Sequence, residues 1–153
     1  MSKELSIPDF MGTPAGRFLR EWESSQAAGV VGDVFGYSAV QIGLPELDLL
    51  RGNRIATHIQ IIPPEARNLK NISSQDPLNR ILADFTEIPL ASESQDLVVL
   101  PHALDFWETD APAQKVLREA ARILVPEGRI VLTAFNRAGL WSLRQRLSWI
   151  GLG

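Results

Sequence analysis

Hydrophobic positions change their period several times along the chain, and each change marks an element. Near the amino end, Phe18, Leu19, Trp22, Val30, Val31 and Val34 recur at near-helical spacing, which predicts one or two helices ending by Gly36. Thr13 followed by Pro14 offers a hydroxyl cap and a proline in the first helical position. Ser38 to Ile42 is a short apolar run that reads as a buried strand. Pro45 then opens a short predicted helix through Leu50, which Gly52 stops. Arg54 to Ile62 is rich in β-branched residues and predicts a second strand, closed by Pro63 and Pro64.

From Glu65 to Asn79 the chain is polar without a clear period, as a loop would be, and Arg80 to Ala83 reads as a brief strand. Asp96 to Leu100 is almost wholly apolar, the pattern of a parallel strand covered on both faces. Asp110 caps a predicted helix to about Leu124, with Val116, Leu117, Ala120, Ile123 and Leu124 as its apolar face. A turn at Pro126-Glu127-Gly128 leads into a strand from Arg129 to Phe135, and Gly139 to Ile150 reads as a last amphipathic helix. Strand, helix and strand alternate at the lengths of right-handed crossover units, so the expected fold is an open, mostly parallel α/β sheet. Such sheets bind ligands beyond the carboxyl ends of their strands. That rule points to Gly43, Ile62-Pro63, Asp84-Phe85, Leu100 to His102, and Asn136.

Composition narrows the chemistry. A chain of 153 residues, 45% hydrophobic and 22% charged, suits one soluble unit. Within it, residues 1–36 are expected to form a helical cap and residues 37–153 the α/β body. A net charge of -3 gives no general attraction to nucleic acid. The absence of cysteine excludes disulfides, thiolate metal sites and a cysteine nucleophile, and two histidines are too few for a histidine-rich metal centre. The amino terminus lacks the apolar core of a secretory signal and carries Glu4 and Asp9, so a cytoplasmic address is the default expectation. No apolar run approaches the ~20 residues needed to span a bilayer.

One segment carries a stronger signal. Asp84, the turn Ile88-Pro89-Leu90, Asp96-Leu97-Val98, Leu117-Arg118-Glu119, Arg122-Ile123-Leu124 and Pro126-Glu127-Gly128 follow one another in a recognisable order. This series resembles the class I S-adenosylmethionine-dependent methyltransferases, in particular the small-molecule branch related to quinone-biosynthesis enzymes (type 11-like). The resemblance implies a Rossmann-like sheet of about five strands in this chain, with helices on both faces. It also implies S-adenosylmethionine as cofactor and a small-molecule methyl acceptor. Asp84 would accept from the adenine amine and the Phe85 amide would donate to a ring nitrogen. Gln41 and Gly43 would lie by the methionine end. Pro101 would border the reacting methyl, and His102 becomes the candidate catalytic residue. No metal is implied.

The first family motif is altered in this chain. Gln41 stands where an acid is usual, and Leu44 and Pro45 replace the small residues of a glycine-rich loop. The acid that normally ends the second strand and holds the ribose is missing from Gln60-Ile61-Ile62-Pro63. These departures motivate a second expectation, a methyltransferase-like domain that has lost the cofactor and serves as a binding or assembly module. A nicotinamide oxidoreductase is disfavoured, because Gly43-Leu44-Pro45 does not form its phosphate-binding turn. The chain stops after the helix that follows the fifth strand, where the family has two more strands, so a fragment or a minimal form is expected. The fifth strand would then be an open edge that invites pairing with another chain, with a homodimer or aggregation as the risk. The last helix, with Leu140, Leu143, Leu147 and Ile150 on one face and Arg137, Arg144 and Arg146 nearby, reads as packed on the sheet rather than membrane-bound.

Overall fold

A computed structural model describes residues 7–64, 79–105 and 110–135. The expectations for the polar loop after Pro64, for Asn136 and for the last helix fall outside these residues. Eight elements follow in order: α1 (Ile7–Met11), α2 (Pro14–Val31), β1 (Ser38–Ile42), β2 (Thr57–Ile62), β3 (Asn79–Leu82), β4 (Gln95–Pro101), α3 (Asp110–Ile123) and β5 (Leu124–Thr133). The five strands form one sheet in the order β3-β2-β1-β4-β5, and every pairing is parallel. The expected open α/β sheet is present, and its strand order reverses between β1 and β4.

Two apolar layers hold the sheet. In β1 and β4, Ala39, Leu97 and Val99 face one layer with Met11, Ala27, Val31, Leu44, Leu47 and Leu49. Val40, Ile42, Val98 and Leu100 face the other, with Val116, Ala120 and Ile123 of α3. Alternate residues on each strand therefore serve opposite layers, which is why β4 reads as an unbroken apolar run rather than an alternating one. α2 covers the first face and α3 the second.

The face that α2 buries differs from the one its bulky residues suggest. Phe18, Trp22 and Val30 are exposed, while Gly16, Glu23, Ala27 and Val31 are buried. Small residues let the helix come close to its neighbours: a Cβ on Gly16 would stand 2.1 Å from the Phe10 carbonyl oxygen and 2.6 Å from the Met11 Cα. Thr13 caps the helix as expected, its Oγ1 accepting from the Gly16 amide at 3.1 Å. On α3, Leu117 is likewise exposed, and Leu124 belongs to β5 rather than to the helix.

Two further elements depart from the sequence pattern. The stretch from Pro45 to Leu50 is a series of turns, not a helix. Several backbone groups here are taken by one side chain. The buried Gln41 amide nitrogen donates to the carbonyls of Leu44 and Leu47, and Gln41 Oε1 accepts from the Leu49 amide at 2.8 Å. The strand predicted from Arg54 begins only at Thr57, because Asn53 makes a local turn by accepting from the Ile55 amide and ties itself to the Val31 and Val34 carbonyls. In β5 the Pro126-Glu127-Gly128 turn is carried as an irregularity, the register with β4 slipping between Gln95 and Leu97. Glu127 takes φ 66° there.

Gln41 must donate to two carbonyls and accept from one amide, which a carboxylate cannot do. Gln41→Glu is therefore expected to destabilise the fold, by about 1–3 kcal/mol for each buried carbonyl left unpaired. Urea unfolding of the two proteins measures the difference.

Candidate functional site

The carboxyl ends of β1 and β4 meet at the point where strand order reverses, the usual ligand crevice of such sheets. Gly43 follows β1 with φ 134°, and a Cβ built on it would lie 2.7 Å from the Pro101 carbonyl oxygen. Only glycine allows the two strand ends to approach this closely. The Gly43 amide donates to the Ile61 carbonyl at 3.2 Å, so the same residue also ties in β2. Leu44 does not lie across this crevice; it is fully buried in the layer beneath α2.

Two residues after β3, Asp84 is exposed and forms a tight local turn. Its Oδ1 accepts from the Thr86 amide at 2.8 Å and the Thr86 hydroxyl at 2.7 Å. These hydrogen bonds, the amide's first, hold its carboxyl below the usual carboxylate range. Phe85 is buried with Ile88 in the α3 layer. The turn that follows is clamped by α3. Glu119 accepts from the Ile88 amide at 2.8 Å, and Arg122 donates to the carbonyls of Ile88 at 2.8 Å and Leu90 at 2.9 Å. Arg122 and Glu119 also pair with each other at 2.9 Å. The spacing of Glu119 and Arg122 on one helical face thus explains why this motif accompanies an Ile-Pro-Leu turn thirty residues earlier.

His102 follows β4 in a left-handed conformation, φ 53°, and is 1% exposed. Its amide donates to the Thr133 carbonyl at 3.0 Å, binding the ends of β4 and β5. Both ring nitrogens are engaged: Nε2 lies 2.8 Å from Glu23 Oε1 and Nδ1 lies 2.8 Å from Asp105 Oδ2. The ring also packs on Phe135, with centroids 4.4 Å apart. Asp105 Oδ2 accepts in addition from the Phe135 amide at 2.9 Å. Burial disfavours the charged ring, but hydrogen bonds to Asp105 and Glu23 and their negative charges prevail, raising its pKa to about 9. Position alone marked His102 from the sequence, whereas Glu23 went unnoticed. Its signal was available, since Glu23 stands in step with Leu19, Ala27 and Val31 on the buried stripe of α2.

The site residues inferred from sequence therefore fall into two groups. Gly43, Pro101 and His102 come together at the β1–β4 crevice, and Asp84 with Phe85 lies beyond β3 on the same edge of the sheet. Gln41 is 1% exposed and turned to the loop it shapes. Where the second strand lacks its usual acid, Gln60 is buried and accepts from Arg80 at 2.9 Å. A groove of about 220 Å³ lined by Asp33, Phe35, Asp96 and Glu127 lies at the amino ends of the strands, on the opposite edge from these residues. Among the described residues, no helix is long and apolar enough to cross a membrane.

Solved structures share this architecture. A proposed methyltransferase of Haloferax volcanii, determined in complex with the Trm112 methyltransferase activator, is 21% identical with a TM-score of 0.63, over 87% of this chain and 62% of that one. The S-adenosylmethionine-bound CalS10 of Micromonospora echinaspora, an amino pentose methyltransferase, is 16% identical with a TM-score of 0.64, over 76% of this chain and 51% of that one. The fold is that of the S-adenosylmethionine-dependent methyltransferases. Residues 42–132 match the methyltransferase domain family, and the chain belongs to it. The Escherichia coli (strain K12) protein YafS, itself uncharacterised, is 27% identical over 139 residues, which are 90% of this chain. The chain spans about half (52%) of that relative's length.

The raised pKa of His102 has a direct consequence for stability. A histidine whose folded pKa exceeds its unfolded value contributes fully below that unfolded value, near 6.5, and loses the contribution as pH rises through about 9. Unfolding midpoints in urea should fall between pH 7 and 10. His102→Gln should flatten that part of the profile.

Proposed function

We propose that this domain binds S-adenosylmethionine along the carboxyl edge of the sheet and transfers its methyl group to a small-molecule acceptor. The observation that carries the reading is the reversal of strand order at β1–β4, with Gly43, Asp84, Phe85 and Pro101 all at strand ends on that edge. Asp84 accepts from the adenine amine, a task suited to a carboxylate held ionised by Thr86. The Phe85 amide donates to the ring. The strand ends drawn together at Gly43 receive the methionine portion, with Pro101 bordering the methyl. Gln41 serves the cofactor indirectly, by fixing the loop from Leu44 to Leu49.

Methyl transfer from a sulfonium is an in-line displacement, so alignment and proximity supply much of the rate. A general base is needed only where the acceptor must lose a proton. His102 has both ring nitrogens committed to carboxylates, and its role is to position the ends of β4 and β5. The missing ribose acid and the altered first loop weaken the hold on the cofactor without removing the adenine contacts.

Calorimetric titration with S-adenosylmethionine should show saturable binding. Asp84→Ala should weaken it by about tenfold or more, the loss expected for a hydrogen bond to a charged group. No heat and no thermal shift at millimolar cofactor would sink the reading, and would leave a binding or assembly module in its place.

A further inference from the structure

The groove at the amino ends of the strands has walls of consistent chemistry. The loop from α2 to β1 forms one wall, and the bulged start of β5 forms the other. Asp96 holds the loop in place, its Oδ2 accepting from the Tyr37 amide at 2.7 Å and the Ser38 amide at 3.1 Å. Gly36 lets this contact form, since a Cβ there would collide with the Asp96 carboxylate. The loop so held presents two aromatic rings to solvent, Phe35 at 70% exposure and Tyr37 at 90%. Phe, Tyr and Arg are the side chains that contact surfaces favour over the rest of a protein's exterior. The acids set the charge. Asp33, Asp96 and Glu127 line the groove against a single base, Arg129. Glu127 stands in a left-handed backbone position, φ 66°, so an acid is carried there at a conformational cost. At about 220 Å³, the groove falls below the ~300 Å³ at which pockets for drug-sized ligands begin. It suits one long side chain of a partner.

We propose that this groove is a docking site for an arginine-bearing segment of a partner protein, whose guanidinium lies on Phe35 among the three carboxylates. Charge complementarity selects a cation, and the open aromatic ring selects the kind. A planar guanidinium stacks on a ring face and pairs with carboxylates at once, which a compact, strongly hydrated ammonium does less well. Tyr37, beside the groove on the same tethered loop, extends the contact. The groove lies on the opposite edge of the sheet from Gly43, Asp84 and Pro101. A partner seated there leaves the reaction edge open, and the inference stands apart from the cofactor reading.

The probe is a blocked hexa-arginine peptide, titrated into the full chain at ~20 mM salt, where screening is weak. Backbone amide NMR signals are the readout. The wild-type chain should show saturable shifts confined to Asp33 to Tyr37, Asp96, and Val125 to Arg129. Asp33→Asn with Glu127→Gln should weaken binding about fivefold, the loss of two exposed charge contacts. Phe35→Ala should weaken it about threefold, and a hexa-lysine peptide should bind the wild type less tightly. Glu21→Gln with Glu87→Gln removes the same charge from exposed positions elsewhere, and should change affinity less than about twofold. Thermal melts identify which variants are folded, and the acid pair and Phe35 each decide the matter alone. Shifts scattered over the surface, or equal weakening by the two acid pairs, would reveal attraction to general acidity and overturn the proposal. No saturable binding by the wild type would overturn it as well. Sedimentation showing self-association that Phe35→Ala abolishes would assign the groove to a second copy of the chain instead.

Discussion

Everything at the carboxyl edge depends on how closely β1 and β4 come together. These are the central strands of the sheet, covered on both faces, and the chain reverses its direction of travel across the sheet between them. Gly43 removes the side chain that would hold the two ends apart, and the Pro101 carbonyl occupies the space gained. His102 can then turn into a left-handed conformation and reach across to the end of β5. A larger residue at position 43 would open this corner and separate the groups that stand on either side of it.

Helix α2 reaches the same corner from outside the sheet. Its grip is unusual because a charged side chain occupies a central place in its buried stripe. Glu23 meets His102, while Ala27 and Val31 pack below it on the sheet. Phe18 and Trp22 face outward, against the preference of their size. The close approach at Gly16, the burial of Ala27 and Val31 and the contact of Glu23 with His102 all lie on the face that α2 turns inward.

The fold was legible in the sequence because a parallel sheet writes its strands as short apolar runs. β1, β3, β4 and α3 fall within a residue or two of where patterning places them. Two of the misread parts share one cause, a polar side chain that overrides local propensity. Gln41 takes the backbone groups that a helix from Pro45 would have used, and Asn53 holds the approach to β2 in a turn. Of the candidate site, what was legible is position along the sheet: Gly43, Asp84 and Pro101 stand at or just after strand ends, as patterning places them. Glu23 lies seventy-nine residues from His102 in sequence, and no local pattern connects them. The motif from Glu119 to Arg122 was visible as letters, but its work of clamping the Ile88 turn required the geometry.

The triad of Glu23, His102 and Asp105 also constrains how this protein can change over time. Losing His102 alone would strand two buried carboxylates beside each other, and losing either acid would alter the charge around a ring that stays behind. Each single step passes through a state less comfortable than both its start and its end. The three positions thus behave as one inherited unit, replaced together or kept together. A descendant with an apolar residue at position 102 should also have exchanged Glu23, and with it one of the ties that hold α2 against the sheet.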